Sequence, residues 1–190
     1  AYIGTYYALG SLWLLTLANY FLIGWMNGHL DHYYVDSFRI TVAVVAVFTA
    51  LGNVALAILR YRVGERPLLS ALWENAKWIP LLTVFLGGVS LHVSQALLSH
   101  MFSIDMNWGA TAKEVENISF FEEIPRVLKR FKFTFLWCIA CVAIMIVCAV
   151  AVPDMWRIQF FSAIWPLSVI VFSHFMLPIM LNPNLMLFTW

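Results

Sequence analysis

Five stretches of this chain run for about 20 residues or more without an Asp, Glu, Lys or Arg: Ala1–Leu30, Ile40–Leu59, Trp78–Ile104, Phe133–Pro153 and Ile158–Trp190. A helix needs roughly 20 apolar residues to cross the hydrocarbon core of a bilayer. No soluble fold absorbs five such runs in 190 residues. Composition agrees: 63% of residues are hydrophobic and 11% charged, against about 25% charged in a soluble domain. The net charge of +1 offers no electrostatic footprint for a phosphate backbone, so nucleic acid is excluded as a partner. The lipid bilayer is the partner the sequence demands.

Charge placement predicts four crossings, not five. Nine of the eleven basic residues fall in two clusters, Arg60, Arg62, Arg66 and Lys77 before the third stretch and Lys113, Arg126, Lys129, Arg130 and Lys132 after it. If Trp78–Ile104 crossed, one cluster would be exported, against the tendency of short cytoplasmic loops to hold Lys and Arg. Gly87-Gly88 also weakens the middle of this stretch, and its second half carries His92, Ser94, Gln95, Ser99 and His100. The piece before it, Pro67–Lys77, is amphipathic, the pattern of a helix lying among headgroups. The expectation is therefore an all-α membrane protein with about four transmembrane helices, plus amphipathic interfacial helices flanking a cytoplasmic loop. Both basic loops, 60–77 and 105–132, then face the cytoplasm. Pro166, Pro178 and Pro183 predict a kink or an early stop in the last stretch.

Between Ser103 and Phe133 the chain changes character and holds five acidic and five basic residues. Its second half opens with Ser119-x-x-Glu122, a capping-box pattern, and Pro125 suits a first helical turn. Phe120, Phe121, Ile124, Val127, Leu128 and Phe131 then form a greasy face opposite basic residues. In the first half, Trp108, Thr111 and Lys113 put a stacking surface, a hydroxyl and a mobile cation beside Gly109. That set suits a nucleotide diphosphate, the ring stacking and the polar groups reaching phosphate oxygens; a solvated loop is the bland alternative.

Spacing and setting add a resemblance. Trp108-Gly-Ala-Thr111-Ala-Lys113 resembles the aromatic-x-Val-Thr-x-Lys gating loop of processive family-2 glycosyltransferases, the cellulose synthase group. Arg66-Pro-Leu-Leu-Ser70-Ala-Leu-Trp73-Glu74 is similar to the interfacial segment that precedes that loop. His100–Glu116 and Leu177–Trp190, with Leu181-Asn182-Pro183, look closest to single-chain fungal members of cell-wall type. Ala110 stands where Val is usual, Glu114 follows Lys113 where Gly is common, and the segment between Glu74 and the loop is longer than in cellulose synthases. The group's catalytic Asp motifs and its Gln-x-x-Arg-Trp motif occur nowhere in these residues.

The resemblance implies a single transmembrane domain, residues 1–190, from a longer chain whose catalytic domain lies upstream. Its partners would be a nucleotide-sugar donor, a glycan polymer and its own catalytic domain, its home the plasma membrane. Trp108, Thr111 and Lys113 would be its substrate-binding residues. No catalytic residue and no cofactor is expected within the chain itself; a divalent metal, Mg or Mn, would belong to the catalytic domain. Two other classes stay open, a small-solute transporter or channel and a four-helix membrane anchor or scaffold.

The remaining polar residues carry two readings each. Asn19, Asn53, Gln95 and His174 sit in apolar stretches, as lining for a path or as glue between helices. His29-x-x-His32, with Asp31 and Asp36, could hold zinc but reads as an exposed polar loop, so no metal site is expected. Cys138, Cys141 and Cys148 fall in one apolar run and read as small apolar fillers.

Overall fold

The computed structural model describes residues 2–26, 39, 42–43, 46–105 and 120–180. Among these the protein is all-helical: α1 (Tyr2–Met26), a π-helical turn (Ala46–Leu51) leading into α2 (Gly52–Arg62), α3 (Leu68–Gly88), α4 (Ser90–Met101), α5 (Phe120–Arg130), α6 (Lys132–Ile146) continued by a π-turn (Val147–Ala151), a 3-10 turn (Asp154–Trp156) and α7 (Phe161–Met180). Four of the described helical runs are long and apolar enough to cross a membrane: Ile3–Met26, Leu68–Met101, Lys132–Ala151 and Phe161–Met180.

The number agrees with expectation. Leu68–Met101 is among the four by length and composition, while the expected span 40–59 includes residues 40, 41, 44 and 45, which lie outside the described ones. The segment expected to be an interfacial helix is helical on both sides of Val89, whose N–H donates to Phe85 O at 3.1 Å and whose carbonyl accepts from Val93 N–H at 3.0 Å. α3 ends at Gly88 and α4 begins at Ser90, one residue on. Prolines are tolerated: Pro80 lies inside α3, Pro125 inside α5 rather than in its first turn, and Pro166 and Pro178 inside α7.

The chain divides into two compact units, Ala1–Gly24 with Val84–Trp190, and Trp25–Thr83. In the first, α6 and α7 form an antiparallel pair. Phe135 meets Phe175 edge-on at 5.5 Å, Cys138 Sγ donates to Val171 O at 3.5 Å and Ser168 Oγ to Met145 Sδ at 3.8 Å. The face of α7 that turns inward is Ala163, Leu167, Ile170, Val171, His174, Leu177 and Pro178, the three-to-four spacing of one helical stripe. Cys138, Cys141 and Cys148 are free and buried, so they fill the packing rather than face lipid.

The second unit is a helical hairpin. At the end of α2 the chain makes a Schellman turn: Gly64 adopts φ 78°, its N–H donates to Tyr61 O and the N–H of Glu65 donates to Arg60 O, each at 3.0 Å. Glycine takes this left-handed conformation without a Cβ penalty. Pro67 follows and α3 begins at Leu68. The two helices close over Ala57 and Ala71, both fully buried.

Candidate functional site

Trp108, Thr111 and Lys113 lie outside the described residues, as do Ser119 and the His29-x-x-His32 motif. Of the polar residues singled out in the helices, Asn19 is half-buried on α1. Asn53 is half-buried on α2, and its carbonyl accepts from Asn75 Nδ2 at 3.1 Å. His174 is fully buried on α7. Asn19 and His174 belong to the first unit and Asn53 to the second.

His174 organises a polar seam. Its Nδ1 lies 2.8 Å from Ile170 O, one turn back on the same helix. A carbonyl can only accept, so this contact puts the ring proton on Nδ1 and leaves Nε2 as an acceptor. Two donors meet that nitrogen: Ser90 Oγ at 3.1 Å and the backbone N–H of Leu91 at 3.3 Å. Ser90 and Leu91 open α4, where backbone N–H groups lack partners within the helix, and no side chain of α4 itself caps them. His174 does so from another helix. The Trp137 ring packs on the imidazole at 4.8 Å between centroids and meets Trp13 edge-on at 6.1 Å.

The seam continues onto α1. Trp13 Nε1 donates to Ser94 Oγ at 2.9 Å, and Ser94 Oγ in turn donates to Gly10 O. Ser94, one of the residues that made this segment look interfacial in sequence, is thus turned into the helix packing together with Ser90. Small residues let the backbones close. A Cβ on Gly87 would stand 2.7 Å from Ser173 Oγ, and one on Gly88 would strike Ser173 O and lie 2.7 Å from Leu177 Cβ. Ser173 itself is fully buried. On the far side of α4, a Cβ on Gly10 would lie 3.0 Å from Leu97 Cδ1. Small residues at close crossings and sparse neutral hydrogen bonds are the usual means of helix association where water is absent.

In the second unit the polar groups are charged. Arg60 grips Glu65 with two bonds, Nη2 to Oε1 at 2.8 Å and Nε to Oε2 at 3.2 Å. Its Nη1 reaches Glu74 Oε2 at 3.2 Å and donates to Asn75 Oδ1 at 3.4 Å, while Arg66 Nη1 holds the same Glu74 oxygen at 3.1 Å. The hydrogen bonds from Arg60 hold the Glu65 carboxyl below its usual range, with the charges of Arg60 and Arg66 adding to the effect. Along the same hairpin lies an apolar groove of about 400 Å³ lined by Ala50, Asn53, Val54, Leu69, Leu72, Trp73, Ala76 and Ile79.

Among the described residues, no three His, Cys, Asp or Glu side chains come together as a metal site. Compared with models of known protein families, with curated proteins and with solved structures, the chain matches none. The structure shows an all-helical set of described residues with four runs long and apolar enough to cross a membrane. Sequence reasoning had named His174 and Ser94 but not their mutual arrangement. The signal was present in the pairing of Gly87-Gly88 with Ser90 and Ser94 at helical spacing, small and hydroxyl residues on one face.

Proposed function

We propose that this chain is the membrane channel and gating-loop portion of a polysaccharide-synthesising glycosyltransferase, which transfers sugar from a nucleotide-sugar donor to a growing glycan and passes that glycan across the membrane. The observation that carries the reading is the sequence Trp108-Gly-Ala-Thr111-Ala-Lys113, in a charge-rich stretch of the chain between helical segments apolar enough to span a bilayer. Trp108 stacks against the donor or docks the closed loop. Thr111 and Lys113 bind the diphosphate, whose charge the ammonium offsets when the loop excludes water. The loop 105–132 faces the cytoplasm, where nucleotide sugars are made. Bond making, and the divalent metal it uses, belong to the catalytic domain that this family resemblance places upstream of these helices.

The test uses the full-length polypeptide in its own membranes, supplied with a panel of radiolabelled nucleotide-diphosphate sugars. Incorporation of label into insoluble polymer should fall about tenfold or more in Lys113→Ala, the range for losing a hydrogen bond to a charged group. Lys113→Arg should retain more activity than Lys113→Ala. Equal polymer from wild type and Lys113→Ala would remove Lys113 from the mechanism. Polymer from no donor, with the protein expressed and inserted, would remove the enzyme reading.

A further inference from the structure

The joint between α5 and α6 gathers charge that the gating-loop reading does not use. Residues 120–132 hold Arg126, Lys129, Arg130 and Lys132 against Glu122 and Glu123, four positive charges to two negative. In the same unit α1, α4 and α7 contain no Asp, Glu, Lys or Arg at all.

Packing fixes which way these cations face. Val127 is buried, and Phe131 meets His92 of α4 edge-on at 5.6 Å. Arg126, Lys129, Arg130 and Lys132 are all exposed. The helical phase carries across the joint, since Phe131 N–H donates to Val127 O at 2.9 Å and Phe135 N–H to Phe131 O at 3.1 Å. Lys129, Lys132, Phe133, Leu136 and Ile139 follow one another at three- and four-residue steps and so share one flank. The three apolar members of that flank are exposed, and Lys132 Nζ lies 5.1 Å over the Phe133 ring.

Depth follows from length. Lys132–Ala151 is a candidate span of 20 residues, about 30 Å of helix, the thickness of the hydrocarbon core. Lys132 then stands at the edge of the hydrocarbon. Lys129 is three residues earlier, at most about 4.5 Å further out, within a headgroup layer about 5–7 Å deep on each side. That holds however α5 tilts. Phe133, Leu136 and Ile139 run the other way, into the acyl layer. The far end of the same span differs: Asp154 and Arg157 pair there at 2.6 Å and cancel. Two ammonium groups on one flank repel each other. A phosphate between them replaces that repulsion with two charge-assisted hydrogen bonds.

We propose that the α5–α6 joint binds an anionic phospholipid, its phosphate held between Lys129 and Lys132 and an acyl chain lying along Phe133, Leu136 and Ile139. The inference needs α6 to cross the membrane but does not rest on the gating-loop reading.

It is tested with the full-length protein carrying photoreactive benzoylphenylalanine in place of Phe133, in nanodiscs of phosphatidylcholine with a minor fraction of phosphatidylserine. The crosslinked lipid is identified by mass spectrometry. Phosphatidylserine should be captured well above its share of the bilayer, and high salt should reduce the excess. Lys132→Gln should cut it about fivefold, the contribution of one basic residue near a headgroup plane. Lys129→Gln and Lys132→Gln together should bring capture to the bulk ratio, while Arg157→Gln at the neutral end leaves the excess unchanged. The substituted side chains are exposed, and the thermal transition shows that each variant stays folded. Capture at the bulk ratio without these substitutions would overturn the proposal, as would an excess that survives the double substitution. Capture of no lipid would overturn it too, because Phe133 would then not face the bilayer. Loss of the excess to inorganic phosphate at constant ionic strength would make the occupant a soluble phosphate and overturn the lipid assignment.

Discussion

The two units handle polar groups in opposite ways. The first joins its helices with neutral partners: a histidine accepting from a serine and a backbone amide, an indole donating to a serine, and glycines that admit bare backbone. The second ties its hairpin with guanidinium and carboxylate groups around Arg60. The difference follows from solvent. A charge inside hydrocarbon costs several kcal/mol, whereas charged side chains at a helix end keep water and headgroups within reach. Residues 87–97 therefore look polar in sequence yet belong among helices, and residues 60–66 belong at a boundary.

Glycine substitutions should break this contrast most sharply. Gly88→Ala gains about 1 kcal/mol of helix propensity but drives its methyl into the backbone of Ser173, which cannot move aside as a side-chain tip would. Overpacking costs about 1–3 kcal/mol, so net destabilisation is expected in detergent unfolding experiments. Gly52→Ala in the second unit meets nothing within 4 Å and should be neutral or stabilising. A stabilised Gly88→Ala would show that the close crossing with α7 does not exist.

His174→Leu comes next in size. It removes the acceptor from Ser90 Oγ and Leu91 N–H, and roughly 1–2 kcal/mol should be lost. That range combines the modest worth of hydrogen bonds in membranes with the penalty for an unpaired buried amide. Protection of the Leu91 amide from hydrogen exchange should fall with it. Unchanged protection would mean that His174 does not cap α4.

The smallest effect belongs to the charged hairpin. The folded-state Glu65 carboxyl titrates below its ordinary value because Arg60 donates to it. A lowered acid stabilises the fold at pH above its unfolded pKa, and that contribution disappears as pH falls through the folded value. The stability gap between wild type and Glu65→Gln should therefore close on acidification, and narrow with added salt because the pair is exposed. A gap independent of both would assign Glu65 a packing role.

Much of this was legible in the residues, because hydrocarbon imposes a coarse and unforgiving code. Each of the four candidate spans overlaps a charge-free run, and the amphipathic pattern of 120–131 marks a helix of which Val127 is buried and Lys129 and Arg130 are exposed. Trp78–Ile104 was legible only in part: α3 ends at Gly88 and α4 begins at Ser90, where the paired glycines mark a weak point, but the packing of the segment did not show. Gly87-Gly88 reads as a weak point when a helix is considered alone, since glycine's cost is local and its benefit lies on a partner helix that sequence does not display. Ser94 misled for the same reason: a hydroxyl on an apolar face does not announce Gly10, 84 residues away. Trp108, Thr111 and Lys113 carry their message in spacing alone.

The structure also sharpens the question of sides. Leu68–Met101 runs for 34 residues, more than the roughly 20 needed to cross the hydrocarbon core. Val63, before it, and Ile104, after it, are both exposed. The most direct measurement is single-cysteine labelling with a membrane-impermeant thiol reagent, at Ile104→Cys for the loop and Val63→Cys for the other end, in sealed vesicles of known orientation. The gating-loop reading predicts that Ile104→Cys reacts only from the cytoplasmic face, with Val63→Cys reporting whether Leu68–Met101 crosses or returns. Reaction of Ile104→Cys only from the opposite face would contradict that reading, because Lys113 could then never meet a nucleotide sugar.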